Sequence, residues 1–303
     1  VGRNPSPFYL LAIKNRPYLL LILAVLFWAG NFIVGRAFHG EIPPIALAFW
    51  RWVGAALLVT IPSIKYVRQD LPVLLRNWPV ILLLALAGVA SFNTLVYSGL
   101  QYTQAINAFL LQSLMPVLIV LLSFLLFREK VRFRQICGVL ISLWGAVTII
   151  SRGDLNILQA LSLNRGDMLV FIAVVSYAIY SVMLRKRPHV HALSLIFTTF
   201  WLGALMILPF YLWEAVSVKP LQLTLQSSLA IGYVALFPSI LSYLCYNRGV
   251  ELLGANRAGL FIHLMPVFGS ILAILLLGEQ FLWFHAVGIA LIAAGILLAT
   301  FRV

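Results

Sequence analysis

Asn93, Tyr97 and Gln101 stand at i, i+4 and i+8 inside a long apolar run, which puts an amide, a phenol and a second amide on one helical face. One hundred and fifty residues later Tyr243 and Asn247 take the places of Asn93 and Tyr97, the same two residue types exchanged. Other apolar runs carry Trp28 and Asn31, then Tyr177, Tyr180 and Ser181; two more carry Asn107 and Gln112, then Asn256 and His263. Polar side chains are costly in such runs unless they face a wet cavity or one another. We read the matching Asn/Tyr faces as opposite walls of one cavity; interhelical hydrogen bonding, worth about 0.6–2 kcal/mol per contact, is the alternative. The chemistry on offer is recognition: rings take an apolar side chain and attract an ammonium, while amides and helix ends satisfy a carboxylate. The expected ligand-binding residues are Trp28, Asn31, Asn93, Tyr97, Gln112, Tyr177, Tyr180, Tyr243, Asn247 and His263.

The ionisable residues narrow this further. All eight acids, Glu41, Asp70, Glu129, Asp154, Asp167, Glu214, Glu251 and Glu279, fall at the ends of apolar runs or between them. No carboxylate therefore sits at mid-depth to carry a coupling proton or sodium ion. Arg51 and His263 are the plausible ionisable groups within the runs. Arg51, about two turns or roughly 10 Å into its helix, reads as an anchor or as lining of an outer vestibule ahead of a direct ligand. His263 reads as neutral and hydrogen-bonded ahead of titrating near neutrality. Glu129 and Glu279 read as caps of the helices that follow them. Cys137 and Cys245 lie inside apolar runs and read as core packing. His-Glu-x-x-His, Gly-x-Ser-x-Gly, Walker A, Asp-rich and potassium-filter motifs are all missing. No catalytic residue, metal or cofactor is expected, and an enzyme or channel is the weaker alternative.

What must position these side chains follows from composition. Of 303 residues 63% are apolar and 10% charged, against roughly 45–50% and 25% in soluble domains, and mean hydropathy is +1.03. That excludes a soluble fold and predicts an all-α polytopic membrane bundle in contact with the lipid bilayer. A net charge of +13 comes in short clusters between apolar runs, which marks topology and not nucleic-acid binding. A span needs about 20 apolar residues, and ten such runs are found, near 18–38, 44–63, 78–101, 104–127, 132–151, 167–187, 192–213, 228–248, 255–277 and 281–301. The first is too long for a signal peptide and lacks a small-residue cleavage site, so it is expected to be retained. Alternate loops hold sixteen Lys and Arg on the side of the N-terminus and four on the other, which predicts both termini in the cytoplasm. Trp50, Trp78, Trp213 and Trp283, near run ends, read as interfacial belt residues.

The chain also repeats. Gly99–Gly145 realigns on Gly249–Gly295 with a shift of 150, bringing Leu114-Met115-Pro116-Val117 onto Leu264-Met265-Pro266-Val267. Earlier residues realign with a shift of 149, Trp52-Val53-Gly54-Ala55 on Trp201-Leu202-Gly203-Ala204 and Trp28-Ala29 on Tyr177-Ala178. Five spans per copy is odd, so the second copy must enter from the other side, a five-plus-five inverted repeat typical of alternating-access transporters. The expected division is a cytoplasmic segment 1–17, a first repeat 18–151, a periplasmic linker 152–166 and a second repeat 167–303. Pro116 and Pro266 each remove a helix bond mid-span and are expected gating hinges. Gly138-x-x-x-Ser142-x-x-x-Ala146 and Ala286-x-x-x-Ala290-x-x-x-Ala294 permit close approach, so the fifth and tenth spans read as scaffold.

Phe27-Trp28-Ala29-Gly30-Asn31-Phe32, Arg51, Tyr102-Thr103-Gln104-Ala105 leading into Met115-Pro116, and Glu129 followed by Gly138 and Gly145 resemble the EamA pattern of the drug/metabolite transporter superfamily. Within it the chain is most similar to the YddG-type aromatic amino-acid exporters. The resemblance covers essentially the whole chain and implies a bacterial inner-membrane exporter of aromatic and other apolar or neutral amino acids. Its partners would be the small-molecule substrate and the bilayer, with no nucleic acid, as a monomer or alternatively a dimer. Organic cations are the rival substrate, because an aromatic cage serves both; sugar phosphates would demand several cavity Lys or Arg.

Overall fold

The computed structural model describes residues 15–37, 42–154, 156–159, 164–277 and 280–300. Most of the expected N-terminal segment, with Glu41, Glu279 and Arg302, lies outside the described residues. The described chain is all-helical. In order the elements are α1 (Pro17–Ala37), α2 (Pro44–Arg76), α3 (Trp78–Gly99), α4 (Ala105–Ser113), α5 (Met115–Phe127), α6 (Phe133–Ile150) and the short α7 (Asn156–Gln159). The second half continues with α8 (Arg165–Met183), α9 (Ala192–Ser217), α10 (Leu225–Leu253), α11 (Ala255–Leu260), α12 (Leu264–Leu277) and α13 (Trp283–Thr300). Eight segments among the described residues are long and apolar enough to cross a membrane. Outside those eight, α1 is a 21-residue helix, and α11 and α12 are joined by a 3-10 turn at Phe261–His263.

Local sequence explains most boundaries. Pro44 opens α2, where its missing N–H costs nothing. Asn164 and Asp167 form a capping box that starts α8, as Thr224 and Ser227 do for α10. Arg128, with φ 51°, ends α5, and Gly254, with φ 83°, ends α10 in a conformation that suits glycine. One expected loop is not a loop: α2 runs through residues 64–76 despite Pro62 and Pro72. Tertiary contact holds this extension. Tyr66 stacks on His191 at 3.7 Å between ring centroids, and Asp70 accepts a bond from the His191 backbone N–H at 2.9 Å.

Helices meet their own sequence counterparts. Along α2 and α9, Ala46 meets Glu214, Trp50 meets Tyr211 and Thr60 meets Trp201, an antiparallel register. Along α6 and α13 a Cβ on Gly138 would lie 2.5 Å from the Gly295 carbonyl, and one on Gly145 2.7 Å from that of Gly288. These two helices therefore touch backbone to backbone. The tenth-span stripe read from sequence is corrected here: Ala286, Ala290 and Ala294 are exposed, and Gly288, Ile292 and Gly295 face α6 instead. Glycine gives the closer approach, so it takes the contact face.

Candidate functional site

At the same place in each half the α-helix widens into a π-turn, Ala85–Ser91 in α3 and Ala235–Leu241 in α10. The two are 150 residues apart. In α10 Pro238 has no N–H to give the helix ladder, and Ser239 and Ser242 donate their hydroxyls to the Val234 and Phe237 carbonyls. A π-turn leaves carbonyls for side chains of other helices. The Pro238 carbonyl accepts from Trp28 Nε1 and Arg51 Nη2, both at 3.0 Å. Its counterpart, the Gly88 carbonyl, accepts from the Tyr243 hydroxyl. Each half thus hangs part of its wall on the π-turn of the other.

A cavity lies between these turns, lined by Trp28, Asn31, Arg51, Phe92, Asn93, Gln112, Met115, Tyr177, Tyr243, Ile262 and Met265. Both members of four sequence-paired couples line it: Trp28 and Tyr177, Asn93 and Tyr243, Gln112 and Ile262, Met115 and Met265. The space open to water centres is about 20 Å³, room for one or two waters. An amino-acid-sized ligand therefore enters only if the walls part.

Arg51 is the centre of the polar wall and is 1% exposed. Its Nε donates to Ser239 Oγ at 2.6 Å. Its Nη1 meets Asn93 Oδ1 at 2.8 Å, the Tyr97 hydroxyl at 3.0 Å and Asn31 Oδ1 at 3.1 Å. Every one of these acceptors is neutral, and among the described residues no carboxylate pairs with it. Tyr97 also donates to Asn31 Oδ1 at 2.7 Å. The second half repeats that bond with the types exchanged, Tyr180 donating to Asn247 Oδ1 at 2.8 Å. Where the first half has Arg51 the second has Phe200, packed on Tyr243 at 5.6 Å. Around it Tyr177, Tyr180, Tyr243 and Tyr246 form a ring cluster that Trp28 joins from the first half.

Of the ten expected binding residues, Trp28, Asn31, Asn93, Gln112, Tyr177 and Tyr243 line the cavity. Tyr97, Tyr180 and Asn247 stand behind them as braces. His263 is removed from the cavity: its Nε2 meets the Ser113 carbonyl at 2.9 Å and its Nδ1 the Ser142 hydroxyl at 2.7 Å. Ser113 and His263 are themselves sequence counterparts, each at the break in its broken helix. α4 stops at Ser113 and α5 resumes at Met115 with Pro116, as α12 resumes after the 3-10 turn with Pro266. Gln101 and Asn107 do not join the cavity, and Asn107 reaches Asp167, as Thr103 does, at the end of the bundle. Glu129 does not cap α6; Arg132 takes that place and Glu129 lies 3.5 Å from Arg185.

Two groups in the cavity wall are unsatisfied. Gln112 is 3% exposed, and among the described residues neither atom of its amide has a partner, nor does the Tyr177 hydroxyl. Phe92, Met115, Ile262 and Met265 were not expected in the wall; the repeat of Met115-Pro116 on Met265-Pro266 was the signal that could have found two of them.

At each end of the bundle polar clasps join helices. Glu214 of α9 accepts from the Ile45 and Ala46 N–H groups that begin α2, at 3.0 and 2.7 Å. At the other end Glu251 of α10 pairs with Arg187 at 2.8 Å and Arg248 at 2.7 Å.

A family model described as the EamA-like transporter family matches this chain twice, over residues 15–151 and 164–301. Two Bacillus subtilis (strain 168) proteins described as uncharacterized transporters are similar: YyaM is 27% identical over 93% of both chains, and YetK 29% over 94% of this chain and 87% of its own. An uncharacterized transporter of Archaeoglobus fulgidus is 28% identical over 95% of this chain and 98% of its own. A solved crystal structure superposes with a TM-score of 0.77 over 95% of this chain and 98% of that one, at 21% identity.

Proposed function

The chain belongs to the EamA-like transporter family, and from that premise we propose that it exports amino acids, aromatic and other apolar or neutral ones, by alternating access through the cavity between its halves. It does so from a bacterial inner membrane with ten spans, as a five-plus-five inverted repeat with both termini cytoplasmic. The antiparallel meeting of each helix with its counterpart, α2 with α9 and α6 with α13, supports the inversion, because a twofold axis in the membrane plane produces that register. The sixteen-to-four asymmetry of Lys and Arg supports the orientation. Helix breaks at Pro116 and Pro266 supply hinges, and the Glu214 clasp between α9 and the start of α2 supplies a contact across the halves that opening can release.

One observation carries the substrate reading: one cavity is lined both by amides with a guanidinium and by aromatic rings. A zwitterion with an apolar side chain matches both. A phosphate ester does not, since one cation lines the cavity where several are needed. Facilitated transport fits a cavity in which no carboxylate lines the wall among the described residues and His263 is held by Ser113 and Ser142.

The test is uptake of labelled phenylalanine and threonine, against benzyltrimethylammonium, by liposomes holding the purified protein and its Tyr177→Ala variant. Saturable amino-acid flux lost in the variant is expected. Flux of the cation alone makes this a drug exporter, and flux of none returns the enzyme and channel readings.

A further inference from the structure

The cavity departs from its own internal pairing at two polar positions. Arg51 stands where the second half has Phe200, and Gln112 where it has Ile262. Both polar partners belong to the first half, so the site has a polar head and an apolar tail. Each of the two also lacks something. Arg51 is a buried charge held by neutral acceptors, and of its two Nη2 hydrogens one reaches Pro238 while the other has no acceptor among the described residues. Gln112 is buried with an amide oxygen and an amide nitrogen both unpaired. A buried cation without a counter-charge and a buried amide without partners are each costly, and at the equivalent positions the second half carries the apolar Phe200 and Ile262 instead.

We infer that Arg51 and Gln112 divide the head group of an α-amino acid: Arg51 receives the carboxylate through its free Nη2 hydrogen, and Gln112 receives the ammonium on Oε1. The inference rests on the amino-acid reading above and adds which atoms are read. The carboxylate supplies the negative charge that Asn31, Asn93 and Ser239 cannot. The side chain then lies toward Tyr177 and Tyr243. A cationic drug brings a second positive charge to a wall that already holds an uncompensated one, so the aromatic cage alone does not admit it. Because Arg51 also bridges α2 to the Pro238 carbonyl of α10, a carboxylate competes for the same guanidinium that ties the two halves together.

The experiment uses three probes that share one phenylethyl skeleton: phenylalanine, phenethylamine, which lacks the carboxylate, and 3-phenylpropionate, which lacks the ammonium. Each competes against labelled phenylalanine for uptake by proteoliposomes. In the wild type both analogues are expected to compete at least tenfold more weakly than phenylalanine. Gln112→Leu should bring 3-phenylpropionate to within threefold of phenylalanine while phenethylamine stays excluded; Arg51→Gln should do the reverse. Should Arg51→Gln fail to fold, the wild-type series and Gln112→Leu decide the matter without it. Phenethylamine competing as well as phenylalanine in the wild type overturns the Arg51 assignment and leaves amino-acid transport standing. An unchanged analogue ranking in Gln112→Leu overturns the Gln112 assignment. Absence of any phenylalanine flux overturns the transport reading and this inference with it.

Discussion

The two halves are built on one frame and furnished differently. Leu21 packs on Gly249 as Val170 packs on Gly99, and these are counterparts residue for residue. The Tyr97–Asn31 bond at 2.7 Å is matched by Tyr180–Asn247 at 2.8 Å. The π-turn carbonyls of Gly88 and Pro238 each take a hydrogen bond from the facing half. Against that sameness, the first half brings Arg51, Asn93 and Gln112 to the cavity, whereas of their counterparts Tyr243 and Ile262 line it and Phe200 packs on Tyr243. Scaffold positions keep small residues in both copies, because backbone contact leaves no room for alternatives. Cavity positions have diverged, which the proposed ligand, with two unlike ends, would require.

The largest way to break that contrast is to give the first half the second half's residue. Arg51→Phe leaves Asn93 and Ser239 without their guanidinium donor and places a large ring among buried amides. Leaving buried polar groups unpaired costs about 1–3 kcal/mol each, so a loss of several kcal/mol is expected in detergent unfolding followed by tryptophan fluorescence. A change under 1 kcal/mol there means Arg51 is not the hub of the wall. Next in size is a test of sameness. Gly145→Ala and Gly288→Ala press on the same crossing from opposite sides, a Cβ meeting the Gly288 carbonyl at 2.7 Å and the Gly145 carbonyl at 2.8 Å. Overpacking costs typically 1–3 kcal/mol, and the two variants should agree within about 0.5 kcal/mol. Ala290→Leu, on the exposed face, should unfold like the wild type. Unequal glycine costs mean that the halves do not share their scaffold.

How far this contrast could be read in advance depended on what each feature does to the residue pattern. Apolar runs mark spans because burial in lipid demands them, and eight such segments stand among the described residues, α2 running 13 residues past its expected end, from 63 to 76. Of the Asn/Tyr exchange, Asn93 and Tyr243 line the cavity, while Tyr97 and Asn247 make the interhelical hydrogen bonds that were the alternative reading. The π-turn at Ala85–Ser91 left no trace: its residues suit an α-helix equally well, and only the counterpart Pro238 hints at a broken ladder. Arg51 was legible as an intramembrane cation but not as a cavity residue, because its partners come from α1, α3 and α10 and only folding brings them together. Residues 64–76 read as a loop for their charges, and contact with His191 made them helix. Ala286, Ala290 and Ala294 showed the right period on the wrong face.

The smallest expected effect lies in the duplicated Tyr–Asn bond, and it sharpens the comparison most. Removing either hydroxyl deletes a bond to an asparagine of nearly equal length, and at Tyr97 also an acceptor of Arg51 Nη1, which keeps Asn93 and Asn31; the amides left behind differ. After Tyr97→Phe, Asn31 Oδ1 still accepts from Arg51 at 3.1 Å. After Tyr180→Phe, Asn247 Oδ1 loses its side-chain donor. A deleted bond whose acceptor stays paired costs about 0.5–1.5 kcal/mol, whereas an acceptor stranded in the interior costs about 1–3. Tyr180→Phe should therefore destabilise more than Tyr97→Phe, by about 1 kcal/mol in the same unfolding assay. Arg51→Gln combined with Tyr97→Phe should show coupling, while Arg51→Gln with Tyr180→Phe should be additive. Equal single-variant costs and additivity in both pairs mean that the guanidinium does not hold Asn31, and that the two bonds serve their halves alike.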